Sequence, residues 1–153
     1  MIEYIYLQPV HKDFHIVLNF LIEFLRENYG EERLEDFFVK ASRYIYQPLI
    51  QRVKNNGIVE IEKHLRAIFT KEDGEFHIGY KGQELIFEVI KCPAIWYMKA
   101  NKIEISKCYC KISTEIVTQI IMKECGYCFS VEYDQHNGRC IQKFWKEDQN
   151  DFC

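Results

Sequence analysis

Near Glu75 the chain changes its hydrophobic period, and this change restricts the fold more than any other feature. Before that point apolar residues recur three and four apart. After it, Phe76, Ile78 and Tyr80 alternate, and beyond a turn at Lys81-Gly82 so do Leu85, Phe87 and Val89. Helical spacing followed by strict alternation predicts helices and then a β-hairpin.

The helical part divides at its glycines and prolines. Residues 11 to 29 predict one helix, with Asp13 as its cap. Phe14, Val17, Leu18, Leu21 and Leu25 form one stripe, and Ile16, Phe20 and Phe24 a second. Two apolar stripes predict a central helix with neighbours on both sides. Gly30 ends it. A second helix starts at Glu31, with Phe37, Phe38, Ala41, Tyr44 and Ile45 as its inner face, and breaks where Pro48 disfavours helical geometry at Gln47. It resumes through Leu49, Ile50 and Val53 to Asn55-Asn56-Gly57, and a third helix carries Ile58, Ile61, Leu65, Ile68 and Phe69.

Beyond the first hairpin, Pro93 opens a short helix, because its missing N–H costs nothing at the first position. A longer helix covers Lys111 to Glu124. Tyr127 to Asp134 and Arg139 to Lys146 make a second hairpin through His136-Asn137-Gly138. The tail Asp148 to Cys153 is polar and reads as frayed. There is no βαβ rhythm. The expected fold is therefore α+β: an antiparallel sheet made of two hairpins, packed against an N-terminal helical layer and a central helix, in one domain over residues 1–153.

Charge and hydropathy narrow the function classes. A formal net charge of −3, with lysines scattered among glutamates, gives no electrostatic footprint for nucleic acid. The most apolar stretch, Phe14 to Leu25, contains His15, Asn19 and Glu23 and is far shorter than the ~20 apolar residues that span a bilayer. The first residues, Met1-Ile2-Glu3-Tyr4, show no basic region followed by an apolar run, so the expected compartment is the cytoplasm. Thiols stay reduced there, which argues against a disulfide framework.

That matters because all seven cysteines lie between Cys92 and Cys153. Cys125-Gly126-Tyr127-Cys128 has the spacing of a thioredoxin-type pair, but it follows a helix, the end where the dipole does not favour a thiolate. Cys108 and Cys110 together with Cys125 and Cys128 could offer four thiolates to a structural zinc. The intervening helix, however, would hold the two pairs roughly 20 Å apart. No metal ligands are assigned on this basis, and no cofactor is indicated. His11 and His15 share a helix face without an evident third ligand and read as a partly exposed helix start. His64 follows Glu60 at i, i+4 and reads as a surface pair. No nucleophile elbow, phosphate loop or dinucleotide fingerprint is present.

One longer pattern stands above these fragments. Lys91-Cys92-Pro93 closes a strand, Tyr109-Cys110 starts a helix, and Gly138-Arg139-Cys140-Ile141-Gln142-Lys143-Phe144 lies in the last hairpin, with Glu27-Asn28-Tyr29-Gly30 at the end of the first helix. This pattern resembles the L-2-amino-thiazoline-4-carboxylic acid hydrolase-like family, and its layout is similar to 4-vinyl reductase-type sensor domains. The resemblance implies a hydrolase-like protein acting on a small cyclic or amide-type C–N substrate, with Cys110 as nucleophile or ligand, His136 as base, and Cys92 and Cys140 beside the substrate. Ser113 stands where the family often has an aspartate, and Trp145 follows Phe144 where a polar residue is usual. The sensor-type layout implies the alternative, a non-catalytic small-ligand or protein-interaction module, with self-association as a homodimer left open. A structural zinc domain is the third alternative. The expected partner is a small molecule, with no nucleic acid and no membrane.

Overall fold

The computed structural model describes residues 11–146. The expectations for Met1 to Tyr4 and for the tail from Asp148 to Cys153 lie outside the described residues. Four helices come first: α1 (Asp13–Tyr29), α2 (Glu31–Ile45), α3 (Gln47–Asn56) and α4 (Val59–Lys71). A hairpin of β1 (Glu75–Lys81) and β2 (Glu84–Lys91) follows, then α5 (Pro93–Ala100). A π-helical segment, Lys111–Ile116, runs on into α6 (Val117–Cys125), and the hairpin of β3 (Tyr127–Asp134) and β4 (Arg139–Lys146) closes the order. The fold is α+β, with one four-stranded antiparallel sheet in the order β1-β2-β4-β3.

The two hairpins join through β2 and β4, where Leu85 faces Phe144, Phe87 faces Gln142 and Val89 faces Cys140. Alternation decides which face is covered. Leu85, Phe87 and Val89 of β2 and Gln142 and Phe144 of β4 are buried under the helices. The residues between them point to the other face of the sheet.

The helices bury two separate apolar clusters. One gathers Ile22, Leu34, Phe38, Ile95, Met98 and Ile112 around α1, α2, α5 and the start of the π segment. The other gathers Leu49, Ile50, Val53, Ile61, Phe87, Met122 and Phe144 around α3, α4, α6 and the sheet. Val117 and Cys92 pack against both.

The outer helices differ from the sequence expectation. Asp13 is not a cap: Lys12 holds that position without a side-chain hydrogen bond, and Asp13 instead accepts the hydroxyl of Tyr97. The two-stripe reading of α1 holds only in part: Leu18, Leu21 and Leu25 of the first stripe and Ile16 of the second pack half-buried against the core, while the rest faces outward. Val17 and Phe20 are 67% and 69% exposed, and Phe14 and Phe24 are also exposed. On α2 only Phe38 of the expected inner aromatic face is buried, while Phe37, Tyr44 and Ile45 are exposed. The buried stripes run instead through His15, Asn19 and Ile22 on α1 and Leu34, Phe38 and Ser42 on α2. Polar side chains lie on these inner stripes because each finds a partner. Asn19 donates to the Glu104 carbonyl at 2.9 Å and accepts the Ser106 N–H at 2.8 Å, and Ser42 donates to the Phe38 carbonyl at 2.6 Å. A satisfied buried amide is tolerated where an apolar pattern alone would predict a leucine.

Gly138 needs its glycine. Its φ of 64° is left-handed, and a Cβ there would meet Ile95 Cγ2 at 3.1 Å. Its carbonyl accepts the Cys92 N–H at 2.9 Å, which ties the second hairpin to the start of α5.

Candidate functional site

A cavity of about 600 Å³ is lined by members of both apolar clusters. Its walls come from the first turns of α1 (Phe14, His15, Leu18), from Tyr46 and Leu49 at the start of α3, from α4 (Ile61, His64, Leu65, Ile68, Phe69), from the sheet (Gln142, Phe144) and from the central helix. The central helix presents Cys110, Ser113, Thr114, Val117, Thr118 and Ile121, a stripe at steps of three, one, three, one and three. The lining is mainly aliphatic and aromatic with a few polar groups, the composition of a small-molecule site.

The π segment belongs to this wall. Val117 N–H reaches back five residues to the Ile112 carbonyl, where an α-helix would reach four. Such insertions rotate the residues that follow around the helix axis and are frequent at functional sites. Ser113 donates to the Tyr109 carbonyl at 2.7 Å. It therefore supplies a hydroxyl to the cavity wall where a carboxylate was the family expectation, and that hydroxyl is occupied by backbone.

At one end of the cavity lies a buried polar group that sequence reasoning missed. His15 Nε2 donates to the Glu72 carboxylate at 2.6 Å, with both side chains under 10% exposed. The Tyr109 hydroxyl stands 3.4 Å from His15 Nδ1. Burial pushes the Tyr109 phenol far above its ordinary value, with Cys92, Cys110 and Glu72 nearby adding to the effect, so it remains a neutral O–H. Lys12 Nζ donates to the Glu72 carbonyl at 2.7 Å, closing this end from outside. The reading of His15 as part of an exposed helix start is overturned. Glu72 lies 57 residues further on, and only folding brings it to the imidazole.

His64 is the second correction. It is not a surface partner of Glu60, which binds Lys63 at 2.8 Å and lies 3.6 Å from Arg52. His64 lines the cavity, with the Tyr46 ring edge-on at 6.3 Å. Its Nδ1 is buried without a hydrogen-bond partner. Burial, helped by Arg52, lowers its pKa from 6.5 to about 4, so the ring is neutral at physiological pH.

The four residues expected to form a site separate into groups. Cys110 and Cys92 line the cavity. Cys140 lies beside them and is in electrostatic contact with both. It accepts from Gln142 Nε2 at 3.5 Å, but the opening it lines is a second, smaller one among Glu88, Tyr133 and Arg139. His136 is exposed in the β3–β4 turn and lines neither opening. Its carbonyl accepts the Lys99 ammonium.

The expected activation of Cys110 by a helix N-terminus is not what the surroundings produce. Burial raises its thiol to about 12, and the neighbouring Cys92 and Cys140 push in the same direction. The backbone N–H of Cys110 is taken by the Gln135 side chain at 3.0 Å, and Gln135 in turn donates to the Ser106 carbonyl at 2.9 Å. The Cys108 N–H meets Ser106 Oγ at 3.3 Å. These first-turn amides are therefore committed within the protein. Burial also raises Cys92 and brings Cys140 to about 11.

The Cys125-x-x-Cys128 spacing does not make a bonded pair. Cys125 is a free thiol and sits 3.8 Å from the Ile50 carbonyl, whereas Cys128 is engaged in a disulfide. Burial raises Cys125 to about 11. Among the described residues no three His, Cys, Asp or Glu side chains come together in a metal-holding arrangement. No helix among them is long and apolar enough to cross a membrane.

A signal for this wall was present in the sequence. Ser113, Thr114 and Thr118 interrupt the apolar pattern of the central helix on the same stripe as Cys110, Val117 and Ile121. A polar stripe inside an otherwise buried helix marks a face that borders something other than core. No protein-family model, no curated protein and no solved structure matches this chain.

Proposed function

We propose that the protein is a small-molecule-binding module whose ligand occupies the cavity lined by both apolar clusters. The observation that carries this reading is the cavity itself: about 600 Å³, walled by α1, α4, the central helix and the sheet, largely apolar, with a few converging polar groups. The cavity opens to solvent with mainly apolar side chains on its walls, and a bound apolar ligand would take those side chains out of water. The hydrolase reading implied by the family resemblance draws support from Cys110 and Cys92 lining the same cavity. It weighs less because the Cys110 thiol is held protonated and its expected base, His136, lies on an exposed turn.

Titration with Nile red, a neutral dye that brightens in apolar surroundings, tests the proposal. Saturable binding of about one dye per chain is expected, and Leu65→Trp or Val117→Trp, which fill the cavity, should remove it. Failure of the native protein to bind the dye would reject the reading. Release of product from small cyclic amides, lost in Cys110→Ser, would restore the hydrolase in its place.

A further inference from the structure

We infer that Gln142 selects what the cavity binds, and that the ligand is a largely apolar molecule presenting a hydrogen-bond donor, an N–H or O–H, to Gln142 Oε1. The inference rests on the cavity being a ligand site and names the chemistry of what it takes. Gln142 lies on the helix-covered face of β4, opposite Phe87 of β2 and Val131 of β3. It is only 4% exposed, yet it lines the cavity. A buried amide costs free energy unless its polar atoms are bonded. Its Nε2 donates to Cys140 Sγ at 3.5 Å, and a sulfur is a weak acceptor. Its Oε1 accepts no hydrogen bond among the described residues. Among the described residues with buried or half-buried side chains, His64 Nδ1 is the unbonded polar atom that is sealed from open space. Gln142 Oε1 is therefore unbonded but open. Gln142 does not line the smaller opening beside Cys140, so the space that Oε1 meets is the cavity.

The donor inventory of the walls selects the ligand class. Ser113 bonds to backbone, and Tyr46 and Lys71 are engaged. Thr114 and Thr118 also line the cavity. A hydroxyl donates or accepts as its partner requires, so these two accommodate a polar group without choosing its kind. A carbonyl oxygen only accepts. The Glu72 carboxylate, bonded to His15 at the end of the cavity, offers acceptors as well. A ligand group that can only accept, such as an ether or a carboxylate, would set oxygen against oxygen at Gln142 and leave Oε1 unmatched. An N–H or O–H matches it. The rest of the molecule is apolar, because Leu65, Phe69, Val117 and Phe144 line the same cavity.

Four naphthalene probes test this at pH 7, each displacing Nile red. 2-Naphthol and 2-naphthylamine donate, whereas 2-methoxynaphthalene and 2-naphthoate only accept. The native protein should bind either donor roughly two- to tenfold more tightly than the ether, the worth of one hydrogen bond. In Gln142→Met, which keeps the length of the side chain without its amide, the preference should vanish while Nile red still binds. Gln142→Leu, a second apolar replacement, should behave alike. Equal binding of the donors and the ether by the native protein, or a preference that survives in both variants, would overturn the assignment of Gln142 and leave the cavity reading standing. Tighter binding of the ether or of 2-naphthoate than of both donors would overturn the donor class. Absence of Nile red binding in the native protein would overturn the cavity reading on which both depend.

Discussion

Replacing His64 by leucine should make the protein more resistant to acid, by an amount the buried ring sets. In the folded state its pKa is lowered from 6.5 to about 4. Between those values the unfolded chain carries a proton that the folded chain refuses. Stability therefore falls as pH drops from about 6.5, and this loss is complete once pH passes the folded value. At 1.36 kcal/mol per pH unit, the loss amounts to roughly 3 kcal/mol. His64→Leu removes the titration and the unmatched Nδ1 together, while its volume stays close to that of the imidazole. Urea unfolding of the native protein and the variant should give a gap that is small at pH 7 and wider by roughly 3 kcal/mol at pH 4. With a urea dependence of about 2 kcal/mol per molar, the midpoints should separate by about 1.5 M more at the lower pH. The carboxylates held below their ordinary range, Glu23 by Arg26 and Ser106, Glu60 by Lys63, and Asp134 by Asn137, also weaken the fold in acid. They do so in both proteins and cancel in the difference. A gap that stays constant from pH 7 to pH 4, or a variant less stable than the native protein at pH 4, would refute the account of His64 as a buried neutral ring.

Breaking the buried pair with Glu72→Ala should cost about 3 kcal/mol of stability, because His15 loses its partner in a dry place. The double replacement His15→Leu with Glu72→Leu should cost less than the sum of the singles, and additive costs would show that the two groups do not act together. Iodoacetamide at pH 8 should leave Cys110 unlabelled in the folded protein and label it after denaturation, since the thiol titrates only near 12; rapid native labelling would show an exposed thiolate instead. Gly138→Ala should destabilise by about 1–3 kcal/mol, because its left-handed backbone and the contact with Ile95 both oppose a Cβ, and an unchanged unfolding midpoint would argue against both. Phe87→Ala should cost about 3–5 kcal/mol by opening a void beside Phe69 and Phe76, with thermal unfolding as the check.

Local rules were enough for much of this fold. The period change at Glu75 marks the point where helices give way to strands, because burial on one face writes a spacing of three to four into a helix and of two into a strand. Gly30 ends α1, Pro48 and Pro93 stand at helix starts, and the glycines of the two hairpins sit in their turns. The four strands, their pairing within each hairpin and the α+β class follow from such short-range signals.

Which apolar residues lie inside was not legible in the same way. Phe20 and Val17 fit a helical stripe as well as Ile22 does, and a periodic pattern alone does not say which stripe meets the rest of the protein. The packing of α1 against α2 and α5 decided that, since it fixed which side of the helix is covered. The candidate site depended on tertiary structure still more. Cys110 and Cys92 were legible as residues near a site, but the helix-start argument for a reactive thiol considered only the dipole, and burial beside two other thiols outweighs it. His15, His64 and Glu72 carry no local signal, because a buried polar group is defined by what folding places around it. Glu72 reaches His15 across 57 residues, and His64 comes to share a cavity wall with the central helix only in the folded chain.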